Sequence, residues 1–156
     1  ENTMGTDIHF RVEKKVDVWL PADTPLEPDP YRGDNVLVPA EEWYKQRNSG
    51  VFAKLANVRN YEDVVPISEP RGLPDDLSQN VRQHAEADIE LEKDYVLYDV
   101  IHSHSWLTAA EMAAADWSDV RYPEKINETI ERMVELANRE LDGDLNRIRA
   151  VFWFDN

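Results

Sequence analysis

Apolar and charged residues alternate from Thr6 to Glu13, with Ile8, Phe10 and Val12 on one side and Asp7, His9, Arg11 and Glu13 on the other. A period of two predicts a half-buried strand. Val16, Val18 and Leu20 repeat it, so a hairpin turning at Lys14-Lys15 is expected. Residues 21–34 hold four Pro and one Gly and read as a loop. The tripeptide Arg32-Gly33-Asp34 inside it is read as chance. Pro39, followed by Glu41 and Glu42, predicts a short helix over Ala40–Gln46, with acids where the helix dipole favours them. A second short helix is expected over Val51–Asn57, capped by Ser49 and carrying the stripe Val51, Phe52, Leu55 and Ala56.

The segment 64–77 holds three Pro and one Gly, and buries Ile67 and Leu73 as a defined loop. Ser78 opens a polar helix to about Glu92, on which His84 and the acidic run 86–94 read as solvated. Tyr95–Ile101 reads as a strand, apolar on both faces except at Asp99. Thr108-Ala109-Ala110-Glu111 has the spacing of a capping box and starts a helix to about Ala115. The strongest helical signal covers Glu124–Leu141, where Ile126, Ile130, Met133, Val134, Ala137 and Leu141 share a face and Gly143 stops it. Arg147–Asp155 reads as a last strand. Its two rows are both largely apolar, so it belongs in the middle of its sheet. The expected fold is α+β: a single domain over residues 4–156, its mostly antiparallel sheet covered by helices on one face. Glu1-Asn2-Thr3 reads as lying upstream of a natural start at Met4.

Composition narrows the function classes. The formal charge is −15, from 32 acidic and 17 basic residues, which opposes nucleic acid and anionic membranes as partners. There is no Cys, hence no disulfide, thiolate ligand or thiol nucleophile. No apolar run is long enough to span a bilayer, and a cytoplasmic protein is expected. Gly-rich phosphate loops are absent. Ser103 and Ser105 lie beside histidines without a nucleophile elbow.

Two constellations could carry chemistry. Arg47, Arg59 and Arg71 stand in loops or at helix ends, where a guanidinium fork suits phosphate or carboxylate. With Asn60, His102, His104 and Trp106 they form a candidate anion-binding set. The competing reading has the arginines bridging local carboxylates, for instance Arg71 with Asp75 or Asp76. Asp7, His9, His102 and His104 form a candidate set for a divalent metal that could activate water. Here the competing reading has His9 solvated and the other two bonded to the turn before Thr108.

The blocks Met4-Gly5-Thr6-Asp7-Ile8-His9, Phe52 through Asn60, Pro70-Arg71-Gly72-Leu73-Pro74-Asp75-Asp76, His104-Ser105-Trp106-Leu107-Thr108 and Phe152-Trp153-Phe154-Asp155-Asn156 span nearly the whole chain. They resemble an uncharacterised family of small proteins from tailed phages and prophages. The resemblance implies a phage-type accessory protein in the host cytoplasm. Its leading expected role is to bind and sequester a small anionic ligand, a nucleotide-derived host-defence signal, without a cofactor and in a form compatible with a homo-oligomer. The first alternative is a metal-dependent hydrolase using the Asp and His set. The second is an acidic inhibitor that binds a protein.

Overall fold

The computed structural model describes residues 5–93 and 100–156, apart from the side chain of Asp34. Strands β1 (Asp7–Lys15), β2 (Trp19–Pro21), β5 (Ile101–Thr108) and β6 (Ile148–Asp155) form one antiparallel sheet in the order β2-β1-β6-β5. β6 is central and buried from Ile148 to Phe154, as its two apolar rows require. A separate hairpin of β3 (Leu26–Asp29) and β4 (Gly33–Pro39) occupies the Pro-rich excursion read as loop. Of the strand expected over 95–101, residues 95–99, with Asp99, lie outside the described residues, and the observed strand begins at Ile101 and runs on to Thr108, beyond the expected end.

The sheet's first face carries Ile8, Phe10, Val12, Leu107, Ala150, Phe152 and Phe154. It packs against α1 (Ser49–Ala56), α3 (Ala109–Ala114) and α4 (Glu124–Glu140). The Thr108–Glu111 capping box forms as expected. α4 ends where Gly143 adopts a left-handed φ of 76° and its amide bonds back to the Ala137 carbonyl. The cap of α1 is Asn48 rather than Ser49: its Oδ1 accepts from Gly50 N and Val51 N. These helices supply the cover expected on one face, but the cover is not one-sided. A further helix, α2 (Gln79–Glu92), capped by Ser78, lies on the opposite face, with Val81 and Ala85 against Val151 and Trp153.

Three sequence expectations are corrected. The hairpin turns at residues 16–18, not at Lys14-Lys15, so Val16 and Val18 stand in the turn and are exposed while Trp19 is buried. The helix over Ala40–Gln46 does not form. A seven-residue helix is too short to nucleate unaided, and the Trp43 carbonyl instead accepts from Thr129 Oγ1 of α4 at 2.7 Å. Finally, the charged row of β1 is solvated only at Asp7. Arg11 and Glu13 are fully buried beneath α2 and the 21–39 excursion.

Candidate functional site

The expected anion-binding residues do not converge. Arg47 forks onto Asp7, with Nε–Oδ1 at 2.7 Å and Nη2–Oδ2 at 3.1 Å. Arg59 donates to Thr6 Oγ1 and to the Tyr61 hydroxyl. Thr6 Oγ1 in turn bonds Asn156 Oδ1, which also meets His102 Nε2 at 3.0 Å. Asn60 closes its own loop through Asn57 and the Val64 backbone. Arg71 and Trp106 do meet, with the Arg71 guanidinium 4.8 Å over the Trp106 ring, while His104 joins this loop through its backbone carbonyl, which accepts from Gly72 N, and its ring stacks on Trp153.

The carboxylate partner of Arg71 is Glu111, the capping residue of α3, rather than Asp75 or Asp76. The Arg71 hydrogen bond, with help from Thr108, holds the Glu111 carboxyl down to about 2 against an ordinary 4.5. A carboxylate whose folded pKa is depressed stabilises the fold above its unfolded pKa and loses that contribution as pH falls toward the folded one. Glu111→Gln is therefore expected to be less stable than the parent near neutrality. The gap should close as pH drops from about 4.5 to about 2. Urea midpoints measured across that range check it.

Arg47 lines a polar cleft of about 510 Å³ at the head of α1, with Gln46, Asn48, Gly50, Glu62, Arg121 and Tyr122. Asn48 ties its walls together. Besides capping α1, its Nδ2 donates to the Arg121 and Tyr122 carbonyls at 3.0 and 3.1 Å. This holds Tyr122 at a φ of 57°, a conformation unusual for a bulky residue, with 72% of its surface exposed. Gly5 makes room for Arg47: a Cβ at residue 5 would lie 2.7 Å from Arg47 Cζ. Arg121 pairs with Glu62 at 3.3 Å across exposed side chains.

A second, closed constellation lies between the sheet and α2. Arg11 engages Asp23 and Asn80, Arg149 engages Glu13 and Asp76, and Arg32 engages Asp29 and Asp88. At its centre Trp153 donates from Nε1 to Asp88 Oδ2 at 2.9 Å, with the His9 and His104 rings stacked beside it and His84 edge-on. Arg11 Nη1 and Arg32 Nη2 approach Nδ1 of His84 and His9 at 3.3 and 3.4 Å. A guanidinium only donates, so each contact needs Nδ1 as the acceptor and suits the tautomer with its proton on Nε2. Burial, with Arg32, Arg11 and His9 adding to it, pushes His84 down to about 2, which keeps it neutral. Burial also lowers His104.

Of the expected metal set, His9 and His104 both enter this layer, stacked on Trp153, and of the two it is His9 that lies beside the carboxylates of Asp88 and Asp155. Asp7 is spent on Arg47, and His102 bonds Asn156 and Ser103. The His84 and Asp88 positions read as solvated are buried instead. Their signal was present in the sequence, because Val81, His84, Ala85 and Asp88 share one helical face. Arg32, passed over in its tripeptide, is the clasp between the β3–β4 turn and α2. Arg121 and Tyr122 carried no comparable pattern.

These features define a single-domain α+β protein with an ion-paired second sheet face and an arginine-lined cleft at a helix head. No helix among the described residues is long and apolar enough to cross a membrane. No protein-family model, curated protein or solved structure matches the chain.

Proposed function

We propose that the protein binds a small anionic ligand in the Arg47–Arg121–Tyr122 cleft and holds it without turning it over. The observation that carries this is two exposed guanidinium groups from separate elements facing one cleft beside an exposed tyrosine ring. Their present partners are surface carboxylates, and exposed ion pairs of this kind contribute little, so a phosphate can displace them. The Tyr122 ring offers a face for a base or sugar. The net charge of −15 does not forbid this, because salt screens exposed charges beyond about 8 Å and leaves the nearby guanidinium groups dominant. The finer form of the proposal is the role the resemblance implies: a phage-type accessory protein that sequesters a nucleotide-derived signal in its host.

Equilibrium dialysis against a panel of mono-, di- and cyclic nucleotides tests it. Binding by at least one member is expected. Arg47→Gln and Arg121→Gln should each weaken it about 10- to 100-fold, the worth of one hydrogen bond to a charged group. Gly5→Ala should weaken it too, by pushing the Arg47 fork aside, with the urea midpoint little changed. Absence of binding across the panel sinks the reading, as does unaltered affinity in both arginine variants.

A further inference from the structure

Three ligand-type atoms meet in the layer between the sheet and α2. His9 Nε2 lies 3.7 Å from Asp88 Oδ2, and His84 Nε2 lies 3.8 Å from the same oxygen. All three atoms fall within 4.8 Å of one another. His84 is 4% exposed, and its Nε2 has no hydrogen-bond partner among the described residues although it lies in this cluster. A buried ring nitrogen left without a partner is costly unless something else uses it. A fourth donor stands at the rim, where Asp155 Oδ2 is 3.3 Å from His9 Nε2 and its side chain is 39% exposed.

We propose that this is a binding site for one divalent transition-metal ion, held by His9 Nε2, His84 Nε2 and Asp88 Oδ2, with Asp155 closing the set on the solvent side. Two imidazoles and one or two carboxylates select the Zn, Fe, Co and Mn class over Mg or Ca, which prefer oxygen alone. The atoms need to draw in by only a few tenths of an ångström to reach bonds of about 2.0–2.2 Å.

The surroundings already orient each ligand. His9 lies flat beside Trp153 with ring centroids 5.8 Å apart, and His84 stands edge-on to it at 5.0 Å. Asp88 is held at Oδ2 by the Trp153 indole and at Oδ1 by Arg32 Nε at 2.5 Å. Outer partners of this kind fix a ligand's direction and tune its basicity.

The arginines at the two Nδ1 atoms oppose the metal, because ligation at Nε2 moves the ring proton to Nδ1. Those contacts, at 3.3 and 3.4 Å, are long ones. Arg11 keeps Asp23 and Asn80 when its contact opens, and Arg32 keeps Asp29 and Asp88. The site is therefore reachable without stripping either guanidinium of its carboxylate.

The full chain, freed of metal by chelator and dialysis, is titrated with Co²⁺ and then Zn²⁺. A Co²⁺ ligand-field band saturating at one equivalent and erased by Zn²⁺ is expected. His9→Gln and Asp88→Asn should each weaken binding at least about 100-fold, beyond what loss of an outer partner does, while His102→Gln leaves it unchanged. If the variants do not fold, ¹⁵N spectra of the four histidines in the unaltered chain decide the matter. Loss of the Nε2 proton signals of His9 and His84 on Zn²⁺ addition supports the site. Perturbation of His102 or His104 instead, perturbation of no ring, or a full Co²⁺ response in folded His9→Gln overturns it.

Discussion

Asp23→Ala is expected to cost about 3–5 kcal/mol, the usual penalty for orphaning one partner of a buried ion pair. Arg11 and Asp23 are each 1% exposed and joined by two bonds, Nε–Oδ2 at 2.8 Å and Nη2–Oδ1 at 3.1 Å. Oδ2 also accepts from the Val12 amide at 2.9 Å, so alanine strands a backbone donor as well as a charge. The cost arises less from the lost attraction than from a guanidinium kept out of water with Asn80 and His84 as its remaining partners among the described residues. The double replacement Arg11→Met with Asp23→Leu removes the stranded charge and should lose clearly less than Asp23→Ala alone. Urea unfolding of the three variants gives the comparison. A loss below about 1 kcal/mol for Asp23→Ala would show that Arg11 reaches water, contrary to this account.

Trp153→Ala should cost a similar amount, about 3–5 kcal/mol, through the cavity left by a large buried ring. Trp153 is 0% exposed in the central strand, and the rings of His9, His84 and His104 all rest on it. Trp153→Phe retains most of the packing but removes the indole donor to Asp88, and is expected to lose about 1–3 kcal/mol. The difference between the two variants separates packing from the hydrogen bond. Far-UV circular dichroism during urea unfolding reads it, since removing a tryptophan alters the fluorescence itself. Equal losses would mean that Trp153 acts through its hydrogen bond alone.

The apolar half of the molecule could be read directly. The α4 stripe, the Thr108–Glu111 capping box, the Ser78 cap and the two apolar rows of β6 are local signals, each contained within a single element and its cap. The polar half could not. Arg11, Glu13 and Arg149 alternate with apolar neighbours and look like solvated positions, until α2 and the 21–39 excursion close over them. Their partners Asp23, Asp76 and Asn80 lie 12 to 73 residues away along the chain. No periodicity links such pairs.

The same distinction governs the candidate sites. The α+β class, the central place of β6, the helices from Ser78 and Glu124, and the cap at Thr108 are legible along the chain, because apolar periodicity and capping residues act over short spacings. The sequence also singled out Arg47 and His9 as residue types able to bind. Their company is set by the folded chain: Arg47 with Arg121 and Tyr122 in one cleft, and His9 with His84, Asp88 and Asp155 beside Trp153. Polar groups take their meaning from the three-dimensional neighbour that satisfies their charge or lone pair, and that neighbour is set by which loop and helix fold over the sheet.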